Sequence, residues 1–152
     1  MDIVERETFY ICGYAVETTA TQNDKDVSGL YKDFFTMKKD EVLLRLRGSK
    51  KGYYGLSWYS QGHERYCYLL GIEVGKENEP PDNTLIKALE TTLYAVARYP
   101  QSKDIIEAWN EFFYKDISNA GYAPNEPYNL YFEYYPEDVH GDYELWVPVV
   151  KA

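Results

Sequence analysis

The order of predicted elements repeats along the chain, and this repeat most restricts the folds open to it. Residues 8–18 are rich in aromatic and β-branched side chains and are predicted as a strand. A helix follows after a cap at Asp26 or Ser28, and residues 53–60 and 65–75 then form a hairpin across residues 61–64. The first half is therefore predicted as strand, helix, strand, strand.

The second half gives the same order. Residues 89–99 are predicted as a strand that ends at Pro100, and Ser102 is predicted to cap a helix that stops at Gly121. Residues 129–136 and 143–151 form a last hairpin. The helix has one apolar face at three- and four-residue spacing, made by Ile105, Ile106, Trp109, Phe112, Phe113 and Ile117.

The repeat predicts an α+β fold built from duplicated strand-helix-strand-strand modules. Residues 1–152 are expected to form a single domain with a pseudo-repeat of residues 1–76 and 84–152, a length that suits one core. Each module would contribute an antiparallel sheet with its helix on one side. The other sheet faces would then flank a central ligand cleft.

Charge and terminal sequence restrict the partners. The net charge of −9 argues against nucleic acid as a partner and suits cations. Residues 1–7 are acidic and contain no apolar core of a signal peptide, and no apolar run approaches the roughly 18 residues of a membrane span. These features predict a cytoplasmic protein that does not enter a membrane, with Cys12 and Cys67 as reduced thiols.

No cofactor or metal is expected. His63 and His140 fall in predicted turns, and no second cluster of ligands has the spacing of a zinc site. The chain has no phosphate-binding loop, no nucleotide-binding glycine pattern and no nucleophile elbow.

The segment 130–135 carries the most information about chemistry. Alternation places Tyr131, Glu133 and Tyr135 on one strand face. Matching the apolar faces of the last two strands sets Phe132 beside Leu145 and thus places Glu133 beside Glu144. In that register Tyr131 would lie beside Trp146, so one face would carry two carboxylates among aromatic rings.

An aromatic surface that holds carboxylates suits a lipophilic cation, because each ring face contributes about 0.5–2 kcal/mol of cation–π attraction. A solvated sheet face is the alternative for Glu133, since glutamate in strands is usually exposed. By the repeat, Tyr54 and Trp58 would line the opposite wall and Tyr94 would reach the cleft. Packing in the core is the alternative for these three residues.

The chain resembles the gyrase-inhibitor-like effector-binding domains, which also form the drug-sensing halves of some MerR- and AraC-type bacterial transcription regulators. The resemblance lies in Leu93 to Ala97, the helix with Trp109, Gly121-Tyr122, and above all residues 131–135 and 143–149. It covers the second half well and the first half mainly in element order. A regulator of this kind carries a helix-turn-helix ahead of the domain, for which 152 residues leave no room.

The resemblance implies a duplicated fold with a central cleft in which Glu133 meets cationic drugs and Glu144 is a second acidic position. It leaves three functions open. The first is a stand-alone module that binds amphipathic, cationic small molecules, with no direct contact to nucleic acid. The second is a hydrolase of strained electrophiles that uses Glu133 and Glu144 as general acid and base. The third is a protein-interaction module acting on DNA gyrase.

Overall fold

Antiparallel strands dominate the fold. Residues 1–61, 64–128 and 130–152 are described by the computed structural model, and they contain nine strands. The strands are β1 (Asp2–Arg6), β2 (Phe9–Thr19), β3 (Tyr53–Gln61), β4 (Arg65–Val74), β5 (Leu85–Leu89), β6 (Thr92–Tyr99), β7 (Tyr122–Pro124), β8 (Tyr131–Tyr135) and β9 (Tyr143–Lys151).

The helices lie on one side of the sheet, as predicted, and the α+β fold class is confirmed. They are α1 (Asn23–Thr36), α2 (Lys39–Leu44), α3 (Ile105–Glu111), a π-helical segment (Phe112–Asp116) and α4 (Ile117–Asn119). Gly121 follows α4 with a φ of 85°, a conformation that glycine adopts without strain, so the predicted helix stop is confirmed.

The strands form one continuous sheet, where the sequence predicted one sheet for each module. Its order is β1-β6-β9-β8-β3-β4-β2-β5, with β7 paired to β9. The central pairing of β3 with β8 joins the two halves, and Gly55 lies opposite Glu133 there. This pairing fuses the two predicted sheets.

Elements adjacent in the chain lie near opposite ends of the strand order, and their short connections require the sheet to curve. Only two residues connect β1 to β2, and only two connect β5 to β6. The side chains of Thr8 and Thr91 in these two connections meet, with 3.2 Å between their Oγ1 atoms. The face without helices is therefore concave.

Apolar residues fill both faces of the sheet. The helix-bearing face carries a core that includes Phe34 of α1, Phe112 and Leu145. The concave face carries a second core, in which the ring of Phe9 lies 5.9 Å from the ring of Phe132. The central strands are thus covered on both sides, an uncommon condition for an antiparallel sheet.

Several element boundaries differ from the prediction. Helix α1 begins at Asn23, before both predicted caps, and the side chain of Asp26 lies within the helix and accepts a hydrogen bond from the hydroxyl of Thr18 on β2 at 2.8 Å. Asp104, and not Ser102, caps α3 by accepting a hydrogen bond from the backbone N–H of Glu107.

Other differences concern the strands. The predicted strand 89–99 is broken at Glu90 and Thr91 into the end of β5 and the whole of β6. Strands β1 and β7 have no counterpart in the prediction. The predicted turn at Gly62 and His63 and the predicted strand start at Asn129 lie outside the described residues.

Candidate functional site

Glu133 lies near the middle of β8 and points to the helix-bearing face. Its strand neighbours are Gly55 of β3 and Leu145 of β9. The side chain is almost wholly buried, at 9% exposure. A buried glutamate is uncommon and normally requires compensation by hydrogen bonds or an opposite charge.

Three neutral groups donate hydrogen bonds to this carboxylate. The hydroxyl of Tyr68 donates to Oε1 at 2.7 Å, and the hydroxyl of Tyr135 donates to the same oxygen at 3.3 Å. The indole Nε1 of Trp109 donates to Oε2 at 2.9 Å. Indole N–H is a donor only, so the Oε2 atom is held as an acceptor.

A second layer of hydroxyl groups supports these donors. The hydroxyl of Tyr31 on α1 lies 2.6 Å from that of Tyr68 and donates to that of Tyr135 at 3.4 Å. Burial, followed by the negative charge of Glu133, raises the pKa of Tyr68 and of Tyr135 above the usual tyrosine value. These phenols therefore stay protonated and available as donors at neutral pH.

Opposing effects act on the protonation of Glu133. Burial raises the pKa of its carboxyl, and the hydrogen bonds from Tyr68, Trp109 and Tyr135 lower it. Among the residues that the structure describes, no lysine, arginine or histidine forms an ion pair with Glu133. The site thus contains a carboxylate that neutral donors stabilise and that no positive charge balances.

Gly55 makes this arrangement sterically feasible. A Cβ atom at this position would lie 2.9 Å from Oε1 of Glu133 and would overlap the hydroxyl of Tyr68. The missing side chain leaves the space in which the phenol of Tyr68, on β4, reaches across β3 to the carboxylate.

Glu133 borders a cavity of about 490 Å³ between α3, the π-helical segment and the sheet. Ligand pockets commonly measure roughly 300–1,000 Å³. Exposed Tyr114 and Glu126 stand at its rim. The cavity is lined by Ser57, Trp58, Tyr59, Tyr66, Trp109, Asn110, Phe113, Tyr114, Glu126, Tyr131 and Glu133.

The helical wall of the cavity contains the π-helical segment. Trp109 and Phe113 both face the cavity, while Phe112 is fully buried in the core. The ring of Phe113 meets that of Tyr131 on β8 at 5.4 Å, edge to face. Short π-helical turns are frequent at functional sites, where they change which side chains share a face.

The predicted register of β8 and β9 is wrong by one residue. Phe132 pairs with Trp146 and Glu133 with Leu145, so Glu144 and Trp146 lie on the concave face, opposite Glu133. The prediction assumed that one apolar face marks the core. Apolar side chains cover both faces of β8, so the alternation of apolar residues is compatible with two registers of β8 and β9.

The cavity also lies on a different face from the predicted cleft. We expected it on the face away from the helices, yet Glu133 lies beneath α3 and bonds to Trp109. Tyr131 and Trp58 line the cavity, whereas Tyr135 contacts Glu133 from within the core. The expected approach of Tyr54 and Tyr94 to the site is wrong, since both are buried in the concave core.

Sequence reasoning missed Tyr31, Tyr68 and Gly55, and assigned Trp109 only to the helix face. The signal for Tyr68 lay in the predicted hairpin, where alternation from Tyr66 places both tyrosines on one face. Tyr31 could not be found this way, because its contact with Tyr68 joins α1 to a strand 37 residues later.

The described part of the chain contains neither a helix suited to span a membrane nor a cluster of side chains suited to hold a metal ion. None of its helices is long and apolar enough to span a membrane. It also holds no group of three or more histidine, cysteine, aspartate or glutamate side chains placed to bind a metal ion.

Comparison with solved structures supports the fold assignment. The chain is similar to SAV2435, solved bound to tetraphenylphosphonium, with a TM-score of 0.81 and 13% identity over 98% of this chain and 93% of that one. It is similar to an integron cassette protein of Vibrio cholerae, with a TM-score of 0.69 and 17% identity over 98% and 95% of the two chains.

The C-terminal domain of EcmrR is a third similar structure, with a TM-score of 0.62 and 11% identity over 99% and 97% of the two chains. No curated protein matches the sequence significantly. A protein-family model described as integron-associated effector binding protein matches residues 2–149. The chain therefore belongs to the Cass2 family of integron-associated effector-binding proteins.

Proposed function

We propose that this protein binds lipophilic organic cations in the cavity that Glu133 borders. The observation that carries the proposal is the state of Glu133, a buried carboxylate with three neutral donors and, within the described residues, no cationic partner. A bound cation would supply the missing positive charge. The chain belongs to a family of effector-binding proteins, which supports a small-molecule ligand.

The cavity walls suit a cation whose positive charge is delocalised or surrounded by hydrocarbon groups. Rings of Trp109, Phe113 and Tyr131 surround the cavity, and each ring face can contribute about 0.5–2 kcal/mol of cation–π attraction. The net charge of −9 favours the approach of cations. That SAV2435 was solved with tetraphenylphosphonium bound is consistent with this ligand class.

Acid–base hydrolysis by a Glu133 and Glu144 pair is not supported by the geometry. The two side chains lie on opposite faces of the sheet. Glu144 is bound there by Arg98 at 2.9 Å and accepts a hydrogen bond from Trp146 at 2.9 Å. Binding without chemical conversion is the function that we propose.

The experiment compares two ligands of the same shape, phenyltrimethylammonium and its neutral analogue tert-butylbenzene. Glu133→Gln should weaken the binding free energy of the cation by about 1.5–3 kcal/mol, the scale of a hydrogen bond or contact to a charged group. The neutral ligand should change little. Calorimetric titration of both ligands against wild type and the variant measures the difference.

Glu144→Gln is the matched control, because it removes the same charge from the opposite face of the sheet. It should leave both affinities close to those of wild type. Equal losses for the cation and the neutral ligand in Glu133→Gln would mean that Glu133 only supports the cavity, and the proposal would be wrong.

A further inference from the structure

We infer that the three hydrogen bonds to Glu133 make the cavity selective for cations with no N–H or one N–H over primary ammonium ions of the same skeleton. The inference rests on the proposed function and adds a rule about the ligand's charged group. It assigns Tyr68, Tyr135 and Trp109 as specificity residues of the site.

The acceptor capacity of the carboxylate limits how many N–H groups it can receive. A carboxylate offers about four acceptor positions, two on each oxygen. Oε1 receives the hydroxyls of Tyr68 and Tyr135, and Oε2 receives the indole of Trp109. One position remains open, on Oε2, the oxygen held by the cavity-lining Trp109.

A primary ammonium ion brings three N–H groups, and burying one without an acceptor is costly. Glu133 can satisfy one of them. The other acceptors in the lining are neutral groups, such as the hydroxyls of Ser57 and Tyr66, which accept more weakly than a carboxylate, and the exposed carboxylate of Glu126, which water already solvates. A quaternary ion has no such requirement, and a tertiary ammonium ion matches the single open position.

Glu126 and Tyr114 line the cavity together with Tyr131 and are exposed to solvent. Burial, followed by the negative charge of Glu126, raises the pKa of Tyr131 to about 12. A cation close to Glu133 has the ring faces of Trp109 and Tyr131 as its neighbours.

The test uses three ammonium ions on the same biphenylmethyl skeleton: the primary ion, the tertiary dimethylammonium ion and the quaternary trimethylammonium ion. All three are positively charged at neutral pH. The added methyl groups of the quaternary ion raise its affinity by burying apolar surface, whether or not the selectivity rule holds. The decisive quantity is therefore the change in the affinity ratio of the primary to the quaternary ion between wild type and variants, measured by calorimetric titration.

Trp109→Phe removes the donor on Oε2 and gives this oxygen, the one beside the cavity, a second open acceptor position. It should shift the ratio toward the primary ion by about five- to tenfold, in line with a charge-assisted hydrogen bond. Tyr135→Phe opens a position on Oε1 from the side of the core and should shift the ratio the same way by a smaller factor. It serves as the second variant if Trp109→Phe folds poorly.

Tyr143→Phe is the matched control, because the Tyr143 hydroxyl donates to the backbone carbonyl of Lys103 and not to Glu133. Its ratio should equal that of wild type. If cation binding depends on Glu133 but neither Tyr135→Phe nor Trp109→Phe shifts the ratio, the selectivity rule is wrong and the proposed function stands. If no cation in the series binds, or if Glu133→Gln leaves cation binding unchanged, both are wrong.

Discussion

The two faces of the sheet surround a glutamate with opposite kinds of partners, the half-buried Glu73 on one face and the buried Glu133 on the other. On the concave face, Glu73 receives Arg6 at 2.8 Å, Lys50 at 3.4 Å and the hydroxyl of Tyr54 at 3.2 Å. On the helix-bearing face, Glu133 receives three neutral donors. Glu73 thus belongs to a cluster of paired charges, whereas Glu133 has no cationic partner within the described residues and lies beside a cavity.

Under the proposed function, this difference assigns Glu73 to stability and Glu133 to ligand binding. A glutamate balanced by two cations contributes to the fold and attracts no further positive charge. A desolvated carboxylate that only neutral donors stabilise lowers the free energy of unfolding, and a bound cation would offset this loss. Substitutions at the glutamate on each face of the sheet, made one at a time, test this contrast.

The largest effect is expected at the position that makes room for the Glu133 cluster. Gly55→Ala places a methyl group against the Tyr68 hydroxyl and Oε1 of Glu133. Overpacking of this kind should lower the free energy of unfolding by about 3 kcal/mol. It should also abolish cation binding, and urea denaturation and calorimetric titration measure the two losses.

A matched control is Gly29→Ala in helix α1, where an added Cβ meets no other atom within 4 Å. This change should preserve cation binding and, by helix propensity, should not destabilise the fold. A fully stable Gly55→Ala variant that still binds cations would contradict the packing argument for the cluster.

Removal of the charge of Glu73 should have the next largest effect. Glu73→Gln leaves Arg6, whose side chain is 26% exposed, without its carboxylate partner. Losing one partner of a partly buried ion pair should cost about 2 kcal/mol of unfolding free energy, less than for a fully buried pair. Chemical denaturation should show this loss together with unchanged cation affinity.

Glu133→Gln should have the smallest effect on stability. The amide can turn its oxygen to Trp109 and its NH₂ to Tyr68 and Tyr135, whose hydroxyls accept as well as donate. The change also removes a desolvated charge. We expect the unfolding free energy at neutral pH to stay within about 1 kcal/mol of wild type or to increase slightly.

The sign of the pH dependence follows from the raised pKa of Glu133. The folded state binds this proton more tightly than the unfolded chain, so wild-type stability should fall as pH rises from the ordinary glutamate value through the folded-state pKa. Glu133→Gln should lack this component. A variant destabilised as strongly as Glu73→Gln would contradict the contrast between the two faces.

Local patterns in the sequence were sufficient for the fold class and for placing Glu133 among aromatic side chains on one strand face. Alternation placed Tyr131, Glu133 and Tyr135 on one face, and the spacing of Trp109 and Phe113 placed them on one side of a helix. These inferences depend only on the periods of strand and helix, which are properties of short segments.

The partners of Glu133 could not be obtained from local patterns. Tyr68 lies 65 residues from Glu133 along the chain, and the two meet because β3 pairs with β8 at the centre of the sheet. The register error has the same origin. Curvature brings Phe9 over Phe132, and this second apolar layer makes Phe132 a core residue on the face opposite Leu145.

The most direct test of the account is the pH dependence of tetraphenylphosphonium binding in wild type and Glu133→Gln. Protonation removes the charge that attracts the cation. Wild-type affinity should therefore fall by about tenfold or more as pH is lowered through the raised pKa of Glu133.

The Glu133→Gln variant should bind more weakly at neutral pH and show almost no change over the same range. Calorimetric titration at a series of pH values gives both curves. Parallel curves for the two proteins, or a wild-type affinity independent of pH, would contradict the claim that the buried Glu133 carboxylate recruits the cation.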